Sequence, residues 1–183
     1  MIISLKMIKV FCFHGCGQDK NLFKSLLKSL ENNNKQHNWV YLQGIYKKEE
    51  GWGWYKYIDL DIDQVCRKRD ISNIIDMIGE NQSETVLLGF SEGAQFVLDL
   101  AQNLPNIRGV VAISPSYDKC IGKEIIKCPV VLVTSNNDTK VMKTYSNKWK
   151  KYMTNYIEVT HSKGHKVYLP LETRDIIKRY MGI

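Results

Sequence analysis

No two of the five cysteines, Cys12, Cys16, Cys66, Cys120 and Cys128, form a C-x-x-C pair, and an odd number cannot close into an intramolecular disulfide set. Reduced thiols in a cytoplasmic chain are the simplest account. Apolar runs approaching the ~20 residues of a membrane-crossing helix are also missing. The opening Met1-Ile2-Ile3-Ser4-Leu5-Lys6-Met7 has neither a basic leader nor a small-residue cleavage site, so it does not read as a signal peptide. There is no internal repeat, composition break or long linker, and residues 1–183 are expected to form one domain. A domain of that size buries about 70% of its unfolded surface, enough for a true core.

What the chain has in excess is positive charge: 26 Lys and Arg against 19 Asp and Glu, a formal +7. The lysines are scattered among asparagines, with small clusters only at Arg67-Lys68-Arg69 and at Lys148, Lys150 and Lys151. No nucleic-acid module accompanies them, so the excess reads as a solvated basic surface with no nucleic-acid partner.

Short apolar runs alternate with helical patterns. Residues 8–13 read as a strand, and Leu22, Leu26, Leu27 and Leu30 mark a helix that stops in Asn32-Asn33-Asn34. Residues 39–42 read as a second strand, followed by an aromatic loop, Gly51-Trp52-Gly53-Trp54-Tyr55. A helix over about 66–78 leads into the strand before Ser91, with another helix after it. Strands at 110–113 and 130–134, a helical stretch around 145–153, a short strand near 156–159 and a terminal helix over 171–180 complete the chain. This alternation predicts an α/β fold, a mainly parallel sheet flanked by helices on both faces. In such sheets ligands bind beyond the carboxyl ends of the strands.

The stretch that organises the rest is Thr85-Val86-Leu87-Leu88-Gly89-Phe90-Ser91-Glu92-Gly93-Ala94-Gln95-Phe96-Val97-Leu98. Gly-x-Ser-x-Gly alone arises by accident in roughly one chain in twenty of this length. Here it stands between an apolar strand and a helix with Ala94, Val97, Leu98 and Ala101 on one face, the context in which a serine is held exposed as a nucleophile. The glycines have a steric task, because side chains two residues either side of Ser91 would crowd the neighbouring strand and helix.

A serine hydroxyl needs a base to take its proton, a group to orient that base, and donors for the oxyanion. Only four histidines are available. His37 lies in a polar link with nothing to fix it, and His14 ends the first strand. His161 closes the last strand, and His165 follows Gly164 beyond it. In hydrolases built on this strand-turn-helix serine the partners follow in the order serine, Asp or Glu, histidine, which retains His161 and His165. His165 is preferred, because Ser162-Lys163-Gly164 gives it a flexible approach off the sheet edge. Asp138, in the loop after the strand at 130–134, lies between serine and histidine in sequence and is placed to accept the imidazole N–H. Asn137-Asp138-Thr139 is also good turn chemistry.

His14-Gly15-Cys16-Gly17-Gln18 lies just past the first strand, with glycines that let backbone N–H groups turn toward a ligand. The oxyanion donors are therefore assigned to the backbone N–H groups of Cys16 and of Glu92, the residue after the nucleophile. His14 is then structural. No insertion is long enough for a separate cap, so Trp52, Trp54, Tyr55 and Tyr117 are assigned to substrate binding, as walls of an acyl pocket. The tryptophans serve equally well as core residues. No metal or cofactor enters this scheme.

On these residues the chain resembles the FSH group, the family of serine hydrolases within the α/β-hydrolases, and more distantly the acyl-protein thioesterases and small carboxylesterases. The resemblance is carried by Phe13-His14-Gly15-Cys16-Gly17-Gln18, Gly89-Phe90-Ser91-Glu92-Gly93-Ala94, Asp138 with Val141, Gly164-His165 and Trp52-Gly53-Trp54, in one order over nearly the whole chain. It implies a small lidless α/β-hydrolase fold acting on a small-molecule ester or thioester, with Ser91, Asp138 and His165 as triad. The chain departs from the group where Glu92 replaces a usual Gln, where Thr134-Ser135 replaces Tyr-Gly, and where Lys163 replaces a second glycine. An extra carboxylate at Glu92 would disfavour anionic substrates.

Two other classes stand against the hydrolase. A non-catalytic small-molecule binding protein on the same scaffold would be left unlabelled by a fluorophosphonate, and a basic nucleic-acid-binding protein would lose affinity steeply with salt. Neither explains why serine, aspartate and histidine all follow strands. If His165 is the base, hydrolysis of a short-chain aryl ester rises with pH as the imidazole loses its proton; a flat profile between acid and neutral pH would contradict the assignment.

Overall fold

A computed structural model describes residues 7–183, so the reading of residues 1–6 lies outside the described residues. β1 (Lys9–Phe13) lies second from one edge of a sheet, and α1 (Lys20–Asn32) returns the chain to β2 (Asn38–Leu42) at that edge. Two small antiparallel ribbons follow: β3 (Tyr46–Lys47) with β4 (Trp52–Gly53), and β5 (Tyr57–Ile58) with β6 (Asp61–Ile62). After α2 (Gln64–Ile78), β7 (Thr85–Phe90) pairs with the other side of β1. α3 (Glu92–Ala101), β8 (Gly109–Ile113), β9 (Val130–Ser135), α4 (Lys143–Lys150), β10 (Tyr156–His161) and α5 (Leu171–Met181) then carry the chain to the opposite edge. The six long strands are all parallel, in the order β10-β9-β8-β7-β1-β2.

Progression runs one way from β1 to β2 and the other way from β7 to β10. The loops after β1 and β7 therefore diverge, and a divergence of this kind leaves a crevice at the carboxyl ends of the two strands.

Alternation along each strand sorts the core into two layers. Val10 and Cys12, Val86 and Leu88, Val111 and Ile113, and Val131 and Val133 meet Phe23 and Leu27 of α1 and Ile177 of α5. Phe11 and Phe13, Leu87, Val110 and Ala112, and Val130 and Leu132 face the other way, against Ile71 and Ile74 of α2, Phe96 and Val97 of α3, and Trp149 of α4. Strands covered on both faces read as unbroken apolar runs, which is why residues 130–134 were legible as a strand. All ten residues of α3 are buried. Among the described residues no helix is long and apolar enough to cross a membrane.

Local chemistry sets the boundaries that periodicity blurs. Asp63 Oδ1 accepts from the backbone N–H of Val65 (3.0 Å) and Cys66 (3.1 Å), so α2 starts at Gln64, two residues before the expected boundary. Asp19 caps α1 in the same way, accepting from Asn21 (2.9 Å) and Leu22 (2.8 Å). The aromatic loop proves to contain β4. His37, expected to be unfixed, is buried: its Nε2 lies 2.8 Å from the Gly182 carbonyl oxygen, and its Nδ1 accepts from Ile8 N–H at 3.4 Å. It ties the start of the first strand to the last residues of the chain.

The helix after β7 crosses β1 at backbone contact. A Cβ on Gly93 would stand 2.3 Å from the Phe13 carbonyl oxygen and 2.4 Å from that of His14. Backbone atoms cannot rotate away, so Gly93→Ala forces α3 off the sheet. It is expected to lower stability by about 3 kcal/mol, read as a lower urea midpoint; an unchanged midpoint would mean that this crossing yields freely.

Candidate active site

Ser91 joins β7 to α3 with φ 55° and ψ −118°, a conformation that costs a residue with a Cβ on the order of 1–3 kcal/mol. The surroundings hold it there. Its N–H donates to the Ile113 carbonyl (2.9 Å), its own carbonyl accepts from Gln95 N–H (3.0 Å), and a Cβ on Gly89 would meet the Gly93 carbonyl oxygen at 2.4 Å. The side chain does not cap α3. Its Oγ instead lies 3.0 Å from Nε2 of His165, whose Nδ1 lies 2.7 Å from Oδ2 of Asp138.

The Asp138 side chain is 1% exposed, that of His165 13%. Oδ1 of Asp138 accepts from the N–H groups of Lys140 (2.9 Å) and Val141 (2.8 Å), which leaves Oδ2 for the imidazole. Burial pushes the Asp138 carboxyl up, but the Val141 and Lys140 N–H groups and His165 outweigh it and hold the group below the ordinary aspartate value. An ionised carboxylate only accepts hydrogen bonds, so Nδ1 carries a proton toward Asp138 and Nε2 is the ring nitrogen that faces Ser91.

The segment before His165 is pinned rather than loose, contrary to expectation. Gly164 N–H donates to Ser135 Oγ (3.1 Å) and Asn137 Oδ1 (3.0 Å), and Asn137 Nδ2 donates to the Ser162 carbonyl (2.8 Å). Gly164 adopts φ 71°, a left-handed value that glycine takes without strain. The Phe90 ring packs against the imidazole at 4.8 Å between centroids. His161 belongs to the end of β10, with Nδ1 accepting from Lys163 N–H (3.1 Å).

The loop after β1 is equally ordered. Gly15 N–H donates to Gln18 Oε1 (2.9 Å), and Gly17 N–H to the Trp52 carbonyl (3.0 Å). His14 is buried; its Nε2 accepts from Gly44 N–H (2.9 Å), and burial lowers its pKa, so it stays neutral and structural. Cys16 lies in this loop between Gly15 and Gly17, and Glu92 is the first residue of α3. Cys16, Ser91 and His165 line one cleft of about 450 Å³, closed by Gly15, Gly17, Gln18, Glu50, Phe90, Lys140 and Val141.

A family model described as Serine hydrolase (FSH1) matches residues 3–174. The chain belongs to this family. A comparison with curated proteins finds no match. Among solved structures the serine hydrolase is similar to Arabidopsis thaliana SOBER1, with a TM-score of 0.77, 12% identity and coverage of 97% of this chain and 98% of that one. It is similar to a carboxylesterase from Mesorhizobium loti (TM-score 0.74, 16% identity, 96% and 88% covered) and to a Bacillus cereus carboxylesterase (0.74, 15%, 95% and 87%). At these identities the likeness establishes the fold, that of the α/β-hydrolases.

In this serine hydrolase the four aromatic residues expected to wall the pocket do not line the cleft. Trp54 and Tyr55 are each 1% exposed and pack on Phe96 with ring centroids 5.2 and 5.4 Å away. The indole N–H finds its acceptor inside, at the His14 carbonyl (2.8 Å), which is why so large a side chain can be core. Trp52 is half-buried beneath Lys47, and Tyr117 packs edge-on against Trp149 at 5.7 Å. The Glu92 carboxylate bonds to the Trp54 N–H (2.8 Å) and the Tyr57 hydroxyl (3.1 Å). Sequence reasoning missed Phe90, Ser135 and Asn137, although Phe90 stands beside Ser91 and the other two stand in the short polar run before Asp138. Asp138→Asn is expected to leave the unfolding midpoint nearly unchanged and to lower kcat on an aryl ester by about 10³–10⁴, because the imidazole loses its fixed tautomer. A loss below tenfold would remove Asp138 from that role.

Proposed function

We propose that this serine hydrolase cleaves carboxylic ester or thioester bonds of small molecules through an acyl-enzyme formed on Ser91. His165 Nε2 takes the proton of Ser91 Oγ as the oxygen attacks the carbonyl carbon, while Asp138 orients and stabilises the imidazolium. The backbone N–H groups of Cys16 and Glu92 hold the oxyanion. Collapse of the tetrahedral species expels the alcohol or thiol, which receives the proton from His165. Water, deprotonated by the same nitrogen, then attacks the acyl-enzyme and releases the acid and Ser91. The scheme uses no metal or cofactor, and residues 1–183 act in it as one cytoplasmic domain.

The observation that carries this reading is the unbroken pair of contacts from Ser91 Oγ to His165 Nε2 at 3.0 Å and from His165 Nδ1 to Asp138 Oδ2 at 2.7 Å. The left-handed backbone at Ser91 and the ionised, enclosed Asp138 support it. A cleft of about 450 Å³ suits a small acyl group.

Ser91→Ala is expected to abolish turnover of a short-chain aryl ester while circular dichroism and the unfolding midpoint stay those of the parent. A fluorophosphonate should add its phosphonyl group to the peptide that carries Ser91, mapped by mass. Retention of more than about 5% of parent activity in the alanine variant, or labelling elsewhere, would overturn the assignment.

A further inference from the structure

Two N–H groups that share one oxyanion must converge to within about 3 Å of a single point. The donors proposed above belong to different segments, Cys16 to the loop after β1 and Glu92 to the first residue of α3, and the pairing of β1 with β7 and the contact of α3 with β1 at Gly93 fix the roots of those segments. Beyond the roots the connection is made by a side chain. Glu92 is 5% exposed, and its carboxylate accepts from the backbone N–H of Trp54 and the hydroxyl of Tyr57.

Trp54 in turn donates its indole N–H to the His14 carbonyl at 2.8 Å. Two residues earlier, Trp52 N–H donates to the Gln18 carbonyl (2.9 Å), and the Trp52 carbonyl accepts from Gly17 N–H (3.0 Å). Residues 52–54 thus grip the β1 loop on both sides of Cys16 and are themselves fastened to Glu92. A Cβ on Gly53 would press on the Lys48 side chain as well as come within 2.8 Å of Glu92 Oε2. Burying a carboxylate is unfavourable unless it is well paired, and this one accepts from a buried backbone N–H and a hydroxyl that an apolar side chain would leave without that acceptor. The carboxylate therefore tethers residues 54–57 to the start of α3.

We infer that Glu92 is a positioning residue that sets both halves of the oxyanion hole: its backbone N–H is one donor, and its carboxylate, acting through Trp54, places the Cys16 N–H as the other. This rests on the acyl-transfer reading given above. A loop released from the carboxylate still carries its N–H, but aimed off the oxyanion. The loss then falls in the transition state rather than in substrate binding.

Glu92→Leu keeps the bulk but offers Trp54 no acceptor, and is expected to lower kcat on p-nitrophenyl acetate about 30-fold with KM changed by less than about threefold. Glu92→Gln keeps an oxygen for the Trp54 N–H, and its kcat is expected to fall only about threefold. A boronic acid, which forms a tetrahedral adduct on the serine, should lose affinity for Glu92→Leu by the same factor as kcat/KM. Trp54→Phe retains a ring in the core without the indole donor and is expected to lower kcat about tenfold. If Glu92→Leu does not fold, Trp54→Phe decides the matter on the same kcat and boronate readouts. Equal losses for Leu and Gln, a KM effect in place of a kcat effect, or a folded Glu92→Leu within about threefold of the parent would each overturn the inference. A parent protein that neither hydrolyses the ester nor takes up a fluorophosphonate would overturn the hydrolase reading instead.

Discussion

The structure depends on one steric constraint, the backbone-to-backbone approach of α3 to β1 across Gly93. With no Cβ there, the helix lies directly on the carbonyls of Phe13 and His14. The chain can therefore leave β7 only by reversing sharply, and the reversal leaves Ser91 at φ 55° with its hydroxyl projecting from the sheet edge. Strain at one residue is sustained by what surrounds it: β7 between two fully paired neighbours, and a helix buried along its whole length. A side chain at 89 or 93 would collide with backbone atoms on the facing segment, so neither position can take one without a shift of the turn.

Parallel topology does the rest of the assembly. β7, β9 and β10 all end at the same edge, so the segments that follow them deliver Ser91, Asp138 and His165 to one rim although the residues are far apart in sequence. Proximity of strand ends is coarse, and hydrogen bonds supply the fine placement. Ser135 and Asn137 fasten the Gly164 N–H, Lys140 and Val141 fix one oxygen of Asp138, and Phe90 supports the imidazole face. Each tether is short and internal, so the rim is formed before substrate arrives.

α3 is held at both ends by buried acids seven residues apart, two helical turns, and so on the same face. Glu92 accepts from Trp54 and Tyr57, and Asp99 from Tyr55 (3.3 Å) and from the Arg67 guanidinium, whose Nε lies 2.7 Å from Oδ2. The aromatic segment that follows β4 is strapped along α3 by these two carboxylates. Burial raises the pKa of Asp99, and the guanidinium of Arg67 opposes that rise. Removing Arg67 alone would leave an uncompensated charge in the core, the costly half of any buried pair.

The periodicity of apolar residues determined the α/β class, the parallel sheet and the position of most elements, because burial on two faces or one leaves a direct trace in residue order. That Ser91, Asp138 and His165 could meet was legible for a related reason: each follows an apolar strand, and the strands end on one side of the sheet. The contacts were not legible. Whether Trp54 walls a pocket or fills a core depends on whether the His14 carbonyl reaches its indole, and whether His37 is free depends on Gly182 at the far end of the chain. The same holds for Glu92, whose carboxylate turns to Trp54 and Tyr57. Side-chain partners of this kind are decided by distances between segments remote in sequence, and only the packed tertiary structure sets those distances.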